Sequence, residues 1–189
     1  MCTLYALKTT RAQVADLFRA VDPTPEAGVP AEVYPRRVAP VIRQAGGARL
    51  LEDMRWGFPP PPGVRSPVVN VRNLDSPFWR GALADPARRC LVPVTAFCEW
   101  EGPAGVKVKR WFRLAGDPLF AFAGLWRPTE EGPVFAFLTT EPNELVAPIH
   151  PKAMPVILAP SDRATWLEAP MPVARLLARP YPAEAMAVD

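Results

Sequence analysis

Proline sets the terms on which this chain can fold: 26 of its 189 residues are proline, against a usual share of ~5%. Each proline fixes φ and removes a backbone N–H, so long helices and wide regular strands are interrupted. Yet 49% of the residues are hydrophobic, and proline plus glycine stays below the ~25–30% of low-complexity chains. One folded domain of short strands and ordered loops is expected, with a length that suits a single core. No apolar run reaches the ~18 residues of a membrane span. The start of the chain lacks the basic flank and long apolar core of a signal peptide. A cytoplasmic protein without a membrane partner is therefore expected.

The formal net charge is only +3, but all basic residues except Lys8, Lys107, Lys109 and Lys152 are arginine. Such a surface permits phosphate binding without requiring it. Cys2, Cys90, Cys98 and the single histidine, His150, match a Cys3His zinc site in number. Their spacing argues against one: no short Cys-x2–4-Cys pair seeds it, and an extended strand would hold Cys90 and Cys98 ~26 Å apart. An odd cysteine count speaks against a disulfide framework. Neither a metal nor another cofactor is expected.

Residues 2–7 read as a first strand. Thr10 to Gln13 forms a capping-box pattern, and Val14, Leu17, Phe18 and Val21 recur at helical spacing until Asp22-Pro23. Val38–Arg43 and Ala48–Trp56 predict a hairpin across Gly46-Gly47. After the rigid Pro59–Pro62 loop, a short strand spans Val68–Val71, and Ser76-Pro77 opens a helix. Residues 89–100 read as one strand, followed by a meander of Lys109–Leu114, Leu119–Trp126 and Val134–Thr140. Pro142–Val146 suggests a helical turn and Met154–Leu158 a late strand. Ser161 suggests the cap of a helix ending near Glu168, and residues of about 170–189 form a weakly patterned tail. The pattern predicts one α+β domain over 1–189, with its core at about 2–168. A curved, mainly antiparallel, barrel-like sheet should carry a few short helices.

Four residues can carry chemistry. Removal of Met1 would give Cys2 an α-amine and a thiol on adjacent carbons, titrating near 7.7–8.0 and 8.5. Such a pair can form a Schiff base with an aldehyde and close a thiazolidine, or act as nucleophile and base on an amide. Strand parity puts Glu99 on a mostly apolar face, where burial would raise its pKa as a general acid or base requires. His150 is the one side chain suited by its ordinary pKa to proton transfer near neutrality. Asn70 breaks a β-branched run and can position a partner by hydrogen bonding. Each has a plainer explanation when taken alone: a small strand residue, a solvated strand end, a surface loop histidine, a polar strand terminus.

Their joint arrangement resembles the SOS response-associated peptidase (SRAP) family, the abasic site processing proteins. The resemblance rests on Met1-Cys2, on Val69-Asn70-Val71-Arg72, and on Arg89-Cys90-Leu91-Val92-Pro93 through Phe97-Cys98-Glu99-Trp100. It closes with Leu138-Thr139-Thr140, Ile149-His150 and Met154-Pro155-Val156-Ile157-Leu158. Smaller matches fall at Val38-Ala39-Pro40 and Arg55-Trp56-Gly57. The resemblance implies a covalent crosslink between Cys2 and the aldehyde of an abasic site in single-stranded DNA, in a response to DNA damage. It also implies autocatalytic removal of Met1 and lyase-type strand incision. Glu99 would position the amine and shuttle its proton, His150 would protonate the sugar ring oxygen, and Asn70 would orient amine or sugar. Arg72 would hold a flanking phosphate, with further DNA contacts at Lys152, Pro40 and Trp56. The partner implied is single-stranded DNA bearing abasic sites, bound by a monomer.

The chain also departs from the family pattern. Thr3-Leu4 stands where the family carries Gly-Arg, and Phe58 with Pro59–Pro62 fills a region that is usually tryptophan-rich. Lys152 replaces an arginine, a point charge in place of a planar fork. Two other readings remain open: an N-terminal-nucleophile amidohydrolase or peptidase using the same cysteine, and a non-catalytic single-strand binder.

Overall fold

The computed structural model describes residues 2–103 and 105–189. The first strand is short, β1 (Tyr5–Ala6). Thr10 then caps α1 (Arg11–Phe18) in a reciprocal box with Gln13, as its spacing predicts. The helix ends earlier than the apolar spacing suggests. Arg19 turns left-handed at φ 51° as its C-cap, and the chain leaves as β2 (Ala20–Val21), so Val21 belongs to a strand. After β3 (Glu32–Val33), the hairpin of β4 (Val38–Ala45) and β5 (Ala48–Trp56) turns through Gly46 and Gly47 at φ 57° and 82°. A two-residue hairpin turn of this kind needs φ above zero at both positions, which glycine supplies without strain. Next come β6 (Asn70–Val71) and α2 (Pro77–Ala84), the latter capped by Ser76 with proline in its first turn.

Residues 89–101 break the expectation most clearly. The chain forms two strands, β7 (Arg89–Val94) and β8 (Ala96–Glu101), in different sheets. Thr95 makes the corner: its N–H and hydroxyl both donate to the Ala6 carbonyl, and its oxygen accepts from the Lys8 N–H. Face parity therefore does not run through the whole stretch, and the ~26 Å span between Cys90 and Cys98 does not apply. Beyond it lie β9 (Val108–Leu114), β10 (Phe120–Arg127) and β11 (Val134–Thr140). β9 pairs with β8 while β10 pairs with β7, so the meander exists only from β10 to β11. Pro142–Val146 leads into turns with a helix-type hydrogen bond, from the Ala147 N–H to the Asn143 carbonyl, and no regular helix.

The late strand is also two, β12 (Met154–Pro155) and β13 (Ile157–Leu158). Between them Val156 donates to the Leu138 carbonyl and accepts from the Ala123 N–H, passing the chain from β11 to β10. Ser161 precedes α3 (Asp162–Glu168) without a side-chain capping bond. The tail is ordered: α4 (Met171–Ala174), two 3₁₀ turns, and β14 (Met186–Val188), which pairs antiparallel with β9. Its backbone pairing, invisible as a hydrophobic pattern, fixes it.

The five-stranded sheet runs β14-β9-β8-β1-β3 and is antiparallel throughout. The nine-stranded sheet curls on itself, because β11 also pairs parallel with β5 through Val134↔Arg55 and Phe135↔Trp56. Two residue pairs close it, so the barrel-like expectation is met as a ring of strands and not as a regular barrel. Between the sheets Tyr5 and Phe97 meet Trp56, Phe122 and Phe137, with Phe112 stacked behind Phe97; Tyr5 lies 5.3 Å from Trp56, and Phe97 lies 6.0 Å from Phe122, between ring centroids. Each such buried ring contributes about 1.5–3 kcal/mol through removal from water. Gly124 lets β7 approach β10, since a Cβ there would stand 2.7 Å from Cys90 Sγ. Among the described residues no helix is long and apolar enough to cross a membrane.

Candidate active site

β1 is held between β3 and β8, and the segment before it follows the same path: the Cys98 N–H donates to the Leu4 carbonyl. This threading carries Cys2 alongside the end of β8. Cys2 is 1% exposed, its thiol donating to the Leu4 carbonyl at 3.4 Å and lying 3.9 Å from that of Cys98. Burial, and then the charge of Glu99, pushes the thiol well above its ordinary pKa. A resting neutral thiol follows, which needs a base when it attacks. The expected loss of Met1 concerns a residue outside those described.

Glu99 shares the inward face of β8 with Phe97, so the face predicted for it is correct although the long strand is not. It is 3% exposed, and burial pushes its carboxyl up to about 7. Among the described residues its Oε1 has no hydrogen-bond partner. Oε2 stands 3.9 Å from Nε2 of His150. The His150 Nδ1 lies 2.8 Å from the Ala153 carbonyl and 3.3 Å from the Ala153 N–H; the shorter contact favours a proton on Nδ1, which leaves the Nε2 lone pair on the Glu99 side. Burial lowers the His150 pKa, with the charge of Lys152 acting in the same direction. Both shifts favour the uncharged forms, so near neutral pH Glu99 is partly protonated while burial disfavours the His150 cation.

Asn70 is 5% exposed, its amide nitrogen donating to the Val69 carbonyl and its Oδ1 accepting nothing among the described residues. It pairs with Phe137 across β6 and β11, so both side chains share the face turned toward Tyr5. Glu99 and His150 thus approach each other directly, Cys2 joins them through the neighbouring Cys98 carbonyl and the charge of Glu99, and Asn70 belongs to the same inner layer. The same layer holds two groups that sequence reasoning missed, the Tyr5 and Thr139 hydroxyls, both buried without a partner among the described residues. Thr139 had a signal: a hydroxyl in step with Phe135 and Phe137 on an otherwise apolar strand. Unpaired buried oxygens on both facing sheets leave acceptor and donor capacity that a polar ligand could use.

Arg72 is exposed and lines a cleft of about 330 Å³ with Thr139, Glu141, Asp75 and Arg175. Asp75 and Arg175 form a two-bond pair there, at 2.6 and 2.9 Å. Lys152 is exposed two residues beyond His150. The other two expected DNA contacts need correction. Trp56 is 0% exposed, packs on Phe135, Phe137 and Tyr5, and donates its indole N–H to the Val69 carbonyl. Pro40 is buried opposite Asp53 within the hairpin. Both side chains serve packing and present no surface to a strand. Among the described residues no group of three His, Cys, Asp or Glu side chains could hold a metal ion.

The chain belongs to the family described as SOS response associated peptidase (SRAP), whose model matches residues 1–189. A protein from Bordetella bronchiseptica has a crystal structure similar to this one, with 28% identity, TM-score 0.81, and coverage of 99% of this chain and 98% of that one. A protein from Bacteroides thetaiotaomicron shares the fold at 21% identity and TM-score 0.85, over 99% and 90% of the two chains. So does a phage-related protein from Bordetella bronchiseptica, at 21% and 0.77 over 100% and 93%. No curated protein matches the chain at a significant level.

Proposed function

We propose that Cys2, freed of Met1, bonds covalently to abasic sites in single-stranded DNA. One observation carries this reading: Glu99, a buried carboxyl with its pKa pushed up to about 7, lies 3.9 Å from the His150 ring, and its charge acts on the Cys2 thiol. A group with a pKa close to the working pH can both give and take a proton, which a reaction with alternating proton transfers needs. His150 Nε2, once protonated, delivers that proton to the sugar ring oxygen as the ring opens to its aldehyde. The α-amine adds to C1′, and the carbinolamine expels water to leave a protonated Schiff base. The thiol then adds to the same carbon, its proton passing to the Glu99 carboxylate, and the thiazolidine closes. The whole sequence releases one water. Incision of the strand by β-elimination would draw on the same Schiff base, before the thiol adds. Asn70 Oδ1 accepts from the amine or a sugar hydroxyl, and Arg72 holds a neighbouring phosphate, a contact that positions without reading sequence.

The test is incubation with a single-stranded oligonucleotide carrying one abasic site, followed by denaturing electrophoresis and intact mass. The expected product has the mass of the chain lacking Met1 plus the strand, less one water. Cys2→Ala keeps an α-amine but no thiol, so its adducts should survive only after borohydride reduction. Stable adducts of Cys2→Ala without borohydride would place the nucleophile elsewhere. The family's description as a peptidase favours a second reading, in which the thiol attacks an amide carbonyl; that reading predicts peptide cleavage and no DNA adduct.

A further inference from the structure

Among the described residues, the buried side-chain polar atoms without a hydrogen-bond partner fall into two groups. Tyr5, Asn70, Glu99 and Thr139 belong to the inner layer of the candidate active site. The others are Gln44 Oε1 and, on Arg163, Nε and Nη2. These line a different cleft, of about 600 Å³, between the end of α1, the β4–β5 turn and α3, with Arg19, Arg49, Asp117 and Glu168.

Arg163 is 6% exposed, stacks over the Phe18 ring at 4.6 Å, and makes no hydrogen bond through Nε or Nη2. Those two nitrogens form one edge of the guanidinium, the edge that grips an oxyanion with two parallel bonds. Asp117 Oδ2 is 3.8 Å from Nη2, outside hydrogen-bond reach. Burial presses on the Arg163 charge, Asp117 relieves it and neighbouring Arg49 adds to it. Glu168 is engaged by the Gln44 amide at 2.7 Å, and Arg49 spends one donor on the Phe18 carbonyl at 3.0 Å. Arg19 is exposed at the mouth. A buried cation left without hydrogen bonds is costly and calls for an anion.

We propose that this cleft is a second binding site, for a phosphate group, in which Arg163, Arg49 and Arg19 hold the anion and Asp117 is displaced from the Arg163 fork. The phosphate comes from a free ion or from the backbone of a bound strand, and the two sources separate by experiment. The full chain is titrated with sodium phosphate against chloride at matched ionic strength, reading the melting temperature. It is then titrated with unmodified oligothymidylate at several salt concentrations. A free-phosphate site gives a saturable rise in melting temperature. That rise should need about tenfold more phosphate in Arg19→Asn, which keeps the left-handed cap, and in Arg163→Met. A backbone-phosphate site instead lowers the slope of log K against log salt by roughly 0.7 in the same variants. In either case Asp117→Asn, which removes the competing carboxylate, should bind several-fold more tightly. The proposal is overturned if phosphate acts only through ionic strength and the strand's salt slope is the same in all variants. It is equally overturned if Asp117→Asn lowers the melting temperature without tightening either titration, since Arg163 and Asp117 would then be a structural pair alone.

Discussion

Arg89 and Glu99 both carry charge into the interior, one at the start of β7 and the other near the end of β8, yet they are treated oppositely. Arg89 is wholly buried and gives its donors to three carbonyls: two bonds to Leu83, one to Trp166 and one to Ala169, between 2.6 and 3.1 Å. It ties α2 and α3 to the ring of strands. Glu99 is as deeply placed, but among the described residues one oxygen has no hydrogen-bond partner and the other lies 3.9 Å from a histidine nitrogen. A buried charge that serves the fold is saturated by the backbone. One that serves chemistry is left with capacity for a ligand or a proton, and its pKa moves accordingly.

Exchanging the two roles tests that contrast. The largest effect is expected from Glu99→Gln, which keeps the shape and removes the titrating proton. Adduct formation on abasic single strands should slow by roughly 10²–10⁴-fold, with the melting temperature at pH 5 nearly unchanged; an unslowed rate would deny Glu99 its role in proton transfer. Arg89→Met should do the reverse. It strands three carbonyl groups, so chemical denaturation should show a loss of about 3–5 kcal/mol, while the adduct rate of the folded fraction stays as it was.

A smaller effect lies in pH dependence. Because the folded Glu99 pKa is raised from 4.5 to about 7, folding takes up a proton between those values. The stabilising contribution of its protonated form is complete below about pH 4.5 and is lost as pH rises through 7. The difference in stability between the native chain and Glu99→Gln should shift against the native chain over that window, by on the order of 3 kcal/mol. His150, with its pKa lowered, acts oppositely, losing stability as pH falls below about 6.5, so the comparison must be made between the two proteins at each pH. A flat difference would show that Glu99 titrates as an ordinary surface acid. The smallest effect is that of Arg72→Ala, which should reduce the salt slope of single-strand binding by roughly 0.7 and leave the adduct rate at saturating DNA intact.

What could be read from sequence was local. The Thr10–Gln13 box, the Gly46-Gly47 turn and the Ser76-Pro77 helix start each rest on neighbouring residues and appear as expected. What could not be read depends on partners distant in sequence. Thr95 bends the chain because Ala6 is there to receive two hydrogen bonds, and Val156 changes sheets partners because Leu138 and Ala123 flank it. The site divides in the same way. The burial of Glu99 followed from alternation within β8, but its nearness to His150, and the unpaired hydroxyls of Tyr5 and Thr139, follow from two sheets meeting. The motif match found Trp56 and misread its purpose, since a fixed tryptophan can hold a core as readily as it can touch DNA.

The placement of β1 between β8 and β3 has a consequence for the order of events during synthesis. Cys2 precedes its neighbour Cys98 by 96 residues, and both strands that flank β1 come after it. At ~5–20 residues per second, roughly 5–20 s pass before β8 can be made and the cysteine covered. During that interval its thiol is in water, with the ordinary acidity of ~8.5. A thiol that ends buried, at 1% exposure, thus begins in water, and only the later strands close over it.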